Sequence, residues 1–362
     1  MILSAVLFTG LSNGINFILP VTLAASWFPA QETATAIGVT WSAVSLGEAT
    51  AALVYPMCLP YRNATQIENN SHDIRLIFMS TKGTSALILT ISALFFVFML
   101  KNQPPTPPGA AQANILTLLK ADKNERASHE VDTSFLKLVL NLLVNRQFLL
   151  LASANSLGLS ALILAKVLAP SLISMTFPEV TYREIGWIRI AGTLASIIAG
   201  LAVGYYLDRL KKFKEFAMAI VVRMLLVTGG IYFGHLCKYF PVLIVLYPAL
   251  AALRICSNVI FTEFLTEVIY PFDNTILMSI YYFPSEVAAF IFGAVIRKIM
   301  DMHGATMAII VPLIACFMQW CLVALVKPDY RRLSAEMVHE TDTPSQRRSI
   351  IDESKPLLLK SG

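Results

Sequence analysis

Four glutamates stand inside long apolar stretches of this 362-residue chain: Glu48, Glu263, Glu267 and Glu286. A charge at bilayer depth costs about 2.5–3.5 kcal/mol on insertion scales, so each needs a reason to be there. Glu48 shares its stretch with Trp41, Ser45 and Gly47, which make a partly polar face. Burial favours the neutral form of a carboxyl, so Glu48 could take up and release a proton; a buried pair with a neighbouring helix explains it as well. Glu286 follows Tyr281, Tyr282, Phe283 and Pro284. An acid beside aromatic rings suits an organic cation, through charge pairing and cation–π attraction. Equally, the tyrosines could pack in the core while Glu286 pairs with Arg254 or Lys166. Pro284 lacks a backbone donor and is expected to break its helix and free carbonyls nearby. Glu263 and Glu267 are four residues apart, hence on one helical face. Acids so placed near the end of a span can close a gate by meeting a helix N-terminus or an arginine. Asn16, Asn155 and Asn258 are lesser polar candidates, and Lys166 is expected to snorkel outward.

These residues need helices to hold them in lipid. The chain is 56% apolar and 14% charged, with mean hydropathy +0.65. A soluble domain carries about 25% charged residues, so an ordinary cytosolic enzyme and a disordered chain are both excluded. The apolar stretches do not alternate, which excludes a membrane barrel. The fold class is an all-α polytopic membrane protein. Nine spans of roughly 20 residues are expected: about 2–24, 35–56, 84–100, 147–176, 185–207, 215–236, 241–267, 275–298 and 305–326. They divide the chain into a partial N-terminal half of three helices (1–100), a cytosolic linker opening on a proline cluster (101–146), a six-helix C-terminal half (147–326) and a polar cytosolic tail (327–362). The net charge of +5 is not gathered into a basic stripe, so no nucleic-acid partner is expected. The five cysteines show no metal spacing, and neither metal nor cofactor is expected. No H-E-x-x-H, G-x-S-x-G or paired intramembrane Asp is present, so no enzymatic role is expected.

Two signals set the orientation. The sequons at Asn63 and Asn69 both fall in loop 57–83, which faces the lumen or exterior if they are glycosylated. Alternation then places 101–146, 208–214, 268–274 and the tail in the cytosol. These regions hold 17 of the 28 Lys and Arg residues, in the sense of the positive-inside rule. The tail ends in an acidic dileucine pattern, Glu353 with Leu357 and Leu358, of the kind clathrin adaptors bind. That leaves the plasma membrane or the endosome and lysosome as locations.

The stretch Gly204-Tyr205-Tyr206-Leu207-Asp208-Arg209-Leu210-Lys211-Lys212 resembles the G-x-x-x-D-R-x-x-K signature of the major facilitator superfamily. Asp208 can sit at a helix terminus and beside an arginine, locking one conformation, while Arg209, Lys211 and Lys212 stay at the anionic inner leaflet. The loop Trp27-Phe28-Pro29-Ala30-Gln31-Glu32-Thr33-Ala34-Thr35-Ala36 and the segment Glu263-Phe264-Leu265-Thr266-Glu267-Val268-Ile269-Tyr270-Pro271 are similar to solute carrier family 49, with its feline leukaemia virus subgroup C receptor and disrupted-in-renal-carcinoma branches. Ile185-Gly186-Trp187-Ile188 and Lys327-Pro328-Asp329-Tyr330-Arg331-Arg332 fit the same family. The resemblance implies the major facilitator fold and residue 1 at the family's fourth helix, with the first three helices lacking. An incomplete gene model, a short isoform or a diverged form would each look so. It also implies transport of a small organic solute (choline or a related amine, a vitamin, or haem) by alternating access. In the choline carriers' site, glutamine positions fall on Ser45 and Glu286 and an aromatic position on Ile163. None of the five histidines makes a convincing haem-ligand pair. The alternative is a non-transporting form that regulates a full-length partner. The substrate-site residues expected are thus Ser45, Glu48, Asn155, Asn258, Tyr282 and Glu286, and the gate residues Asp208, Arg209, Glu263 and Glu267.

Overall fold

The computed structural model describes residues 18–29, 31–58, 139–163, 168–272 and 274–334, with residues 79, 83, 86–92, 94, 95 and 98 besides. Among these, all regular structure is helical. In chain order the helices are α1 (Ile18–Trp27), α2 (Thr33–Cys58), α3 (Arg146–Ile163), α4 (Ala169–Thr176), α5 (Tyr182–Leu210), α6 (Phe213–Leu236), α7 (Phe240–Ile269), α8 (Asn274–His303), α9 (Ala305–Ala308) and α10 (Ile310–Leu325). A backbone in hydrocarbon must satisfy its own hydrogen bonds, which helices do. Their ends are fixed locally. The Asn145 side chain accepts from the N–H groups of Gln147 and Phe148 at the start of α3. At α5, Thr181 accepts from the Glu184 N–H while Glu184 accepts from the Thr181 N–H, a capping box. Lys211 ends α5 in the left-handed region at φ 51°. Pro271 stops α7.

Five described helices are long and apolar enough to cross a membrane: Glu184–Leu210, Phe213–Leu236, Phe240–Ile269, Ile276–His303 and Ala305–Leu325. They fall on the last five expected spans, and α2 falls on the second. The expected span 147–176 holds α3 and α4, with residues 164–167 outside the described residues. Much of the first and third expected spans lies outside the described residues, so the structure does not establish a count of nine. One expectation fails outright. Pro284 does not break its helix; α8 runs through it for 30 residues. A proline costs one backbone bond, and neighbouring helices on both sides hold the remaining turns in register.

The tightest packing is between α2 and α5, and small residues make it possible. Ala34, Gly38 and Ser42 recur every four residues on α2; Gly192, Ser196, Gly200 and Gly204 do so on α5. A Cβ on Gly204 would lie 2.7 Å from the Ala34 carbonyl oxygen, and one on Gly38 would lie 2.5 Å from that of Gly200. The Ser42 hydroxyl donates to the Ile197 carbonyl at 3.2 Å across the contact. Without water to expel, helices in lipid associate through such close approach. Farther along α5, Gly192 faces Pro248 and Ala251 of α7.

The buried side chains form two clusters. One gathers α1, α2, α3, α5, α6, α7, α8 and α10 around Trp41, Phe148, Phe261, Phe264 and Tyr281. The other is centred on Ile173, Met224, Tyr247, Ile296 and Cys316; its buried members run from α4 onward, with Leu157 of α3 packed against them. Residues before 59 and after 138 therefore meet in the first cluster, which also holds Leu207 beside Asp208. Replacing Gly204 by Val is expected to destabilise the detergent-solubilised protein by about 1–3 kcal/mol, read as a lowered melting temperature. Gly186→Ala, where a Cβ meets nothing within 4 Å, is the control and is expected to stay within about 1 kcal/mol of the parent.

Candidate functional site

The α2–α5 contact ends in a clasp. Asp208, one helical step of four beyond Gly204, turns its carboxylate onto the first turn of α2. Its Oδ1 accepts from the Ala34 N–H at 3.0 Å and its Oδ2 from the Thr35 N–H at 2.7 Å. The first N–H groups of a helix have no partner within it and sit at its positive end, so a carboxylate is well matched to them. The Asp208 side chain is 7% exposed and the Lys211 ammonium lies 3.6 Å from Oδ1. The left-handed backbone at Lys211 brings its side chain back over the end of α5.

Glu263 and Glu267 lie beside this clasp, 2% and 3% exposed. Arg332, beyond α10, brings Nη1 to 3.6 Å from Glu263 Oε2, and its Nη2 donates to the Thr33 hydroxyl at 3.1 Å. The Leu333 N–H donates to Glu267 Oε2 at 3.0 Å. Three consecutive residues of α2, Thr33 to Thr35, are thus held from the C-terminal part of the chain by Asp208 and Arg332. Arg209 stands apart: it is exposed, and its guanidinium donates to the hydroxyl of Tyr205 on its own helix.

A second polar group lies in the helix middles. The Asn155 amide donates to the Ser285 hydroxyl at 3.0 Å, and the Ser156 and Ser285 hydroxyls are 3.1 Å apart. The Thr262 and Tyr282 hydroxyls are 2.9 Å apart. Tyr281 and Tyr282 stand edge to face with centroids 5.1 Å apart, both buried. Asn258 Nδ2 and the Tyr281 hydroxyl are buried and find no hydrogen-bond partner among the described residues. Glu286 is half-buried, and its charge acts on Arg254 and Tyr282. Phe283 does not join the other aromatics; it is 71% exposed on the outer face.

Asn155, Asn258, Tyr282 and Glu286 therefore lie on α3, α7 and α8, and Asn155 is joined to α8 through Ser285. Ser45 is buried on α2. The side chain of Glu48 lies outside the described residues, as do Asn16, Asn63, Asn69, Lys166, Glu353, Leu357 and Leu358. The sequence reasoning did not single out Ser156, Thr262 and Ser285, nor Thr33 and Arg332. Helical spacing of four from Asn258 and from Tyr281 could have found Thr262 and Ser285, and Ser156 adjoins Asn155; Thr33 and Arg332 stand in segments that fit the family, but nothing in those segments marks the two as partners. His235 has both ring nitrogens engaged, with the Thr176 hydroxyl at 2.8 Å and the Tyr247 hydroxyl at 3.1 Å.

The profile of the Major Facilitator Superfamily matches residues 1–271. Human "Choline/ethanolamine transporter FLVCR2" is 26% identical over 324 residues, covering 88% of this chain and 57% of the human protein. Zebrafish "Choline/ethanolamine transporter flvcr2b" is 26% identical over 326 residues, 89% of this chain and 63% of the relative. Mouse "Choline/ethanolamine transporter FLVCR1" is 25% identical over 331 residues, 87% and 56% of the two chains. The chain spans less than two thirds of the length of these relatives. With its likeness to solute carrier family 49 running along most of its length, the chain belongs to the major facilitator superfamily.

Proposed function

We propose that this chain takes part in moving a small organic solute across a membrane. The solute class is an ammonium-bearing molecule such as choline or ethanolamine, and a mid-membrane site is exposed alternately to the two sides. The observation that carries this is the polar seam of α3, α7 and α8, with Glu286 at its edge. Buried hydroxyls and amides are costly in lipid unless they are paired or serve a ligand. Here Asn155, Ser156 and Ser285 pair with one another, whereas Asn258 and Tyr281 keep buried donors to offer. Glu286 supplies a negative charge next to the Tyr282 ring, the chemistry an ammonium needs. Arg254 acts on the same carboxylate, so an arriving ammonium competes with it, and exchange of the one for the other keeps the site near neutrality. The names of the relatives point to the same solutes. A haem cargo finds less support, because His235 is already hydrogen-bonded through both ring nitrogens.

In this function the clasp serves as the gate at the cytosolic mouth. Asp208 holds the start of α2, and Glu263 and Glu267 hold the chain beyond α10. Arg209, on the exposed face with Tyr205, sits where the anionic leaflet would lie.

Two measurements test this. Radiolabelled choline uptake into cells expressing Glu286→Gln is expected to fall about tenfold or more at low choline, with the surface level unchanged. Unchanged uptake removes Glu286 from the site, and no uptake by the parent chain favours the non-transporting alternative. Asp208→Asn keeps the shape and loses the charge. It is expected to lower maximal uptake about threefold to tenfold with KM little changed, since the clasp touches no solute. A large KM change with normal maximal rate would place Asp208 at the solute instead.

A further inference from the structure

The segment after α10 is tied down along its length. The Lys327 N–H donates to Gln147 Oε1 at 3.0 Å, at the start of α3. The Lys214 ammonium, at the start of α6, donates to the carbonyls of Val326 at 2.7 Å and Ala324 at 3.2 Å. The Lys214 N–H donates to the Tyr330 hydroxyl at 3.1 Å. The Tyr330 ring stands edge-on to Phe213 and Phe264, and burial holds its phenol above the usual range, so it stays neutral. These contacts anchor the segment to helices of the C-terminal part. Arg332 is the residue that reaches further. It is 8% exposed and meets both Glu263 on α7 and Thr33 on α2. The other Glu263 oxygen, Oε1, is buried and has no hydrogen-bond partner among the described residues, so that carboxylate depends on Arg332 for its ion pair. A buried ion pair that loses one member leaves an uncompensated charge, so parting Arg332 from Glu263 is costly.

We propose that residues 327–334 form a strap that latches the cytosolic mouth shut, with Arg332 as the positioning residue that bridges Thr33 of α2 to Glu263 of α7. The latch deepens the gate assigned above and rests on it for its meaning in transport. Opening the mouth withdraws Arg332 from both partners, so a pull on the chain beyond residue 334 acts directly on the gate. The tail thereby becomes a place from which transport can be regulated.

Amide hydrogen exchange of the 362-residue chain in detergent follows the latch without any solute. Arg332→Gln is expected to speed exchange about tenfold in peptides covering residues 31–38 and 263–269, and to leave residues 215–235 unchanged. Arg332→Lys keeps the charge, loses the forked geometry, and is expected to restore most of the protection. Thr33→Val removes the α2 arm alone and is expected to speed residues 31–38 but not 263–269. Faster exchange throughout the chain without rescue by lysine would make Arg332 a general folding residue and overturn the latch. Unchanged exchange at 31–38 in both Arg332→Gln and Thr33→Val would overturn it too. A latch that behaves as expected in a chain that takes up no choline would leave the strap standing and defeat the transport assignment.

Discussion

Two hydrogen bonds organise one end of this molecule: the Asp208 carboxylate accepting the N–H groups of Ala34 and Thr35. A helix that starts near the membrane surface must settle its first N–H groups on something. Here it settles them on a residue 173 and 174 positions away in sequence. The carboxylate can reach only because α2 and α5 approach so closely, and they do so because glycine, alanine and serine recur every four residues on both. The stripe of small residues on α5 leads directly into Asp208. The same periodicity that permits contact also aims the charge.

The middle of the molecule follows a different rule. In hydrocarbon a lone hydroxyl is a liability, so Asn155, Ser156 and Ser285 share one network while Thr262 and Tyr282 share another. Each is set by helical spacing. Asn155 and Ser156 are adjacent on α3 and converge on a single serine of α8. Tyr281 and Ser285, four apart on α8, face the same way, as do Tyr282 and Glu286. Phe283 falls outside the arc of these two rows and turns outward.

Length and apolar composition were enough to read the last five spans, and charges within the apolar stretches were enough to pick out Glu263, Glu267 and Glu286. Asp208 was legible from a local signature. What could not be read was whatever depends on distant segments meeting. Arg332 stands in a segment that fits the family, but its reach to Thr33, 299 positions earlier, cannot be read from that segment. Serine 285 carries no signal of its own beside a proline. Pro284 shows the opposite error: the residue's local preference argued for a break, and packing on a long helix overrode it.

The α2–α5 contact has one more consequence. Near Gly38 and Gly200 the two helices touch backbone to backbone, with almost no side chains interlocked between them. Such a point behaves as a fulcrum: the helices can tilt about it without any rotamer having to change. Asp208 lies eight residues beyond Gly200, about 12 Å along the helix at 1.5 Å per residue. A small tilt at the pivot becomes a much larger displacement there. The charged contacts therefore sit at the end of the lever arm, where a small tilt at the pivot is enough to part them.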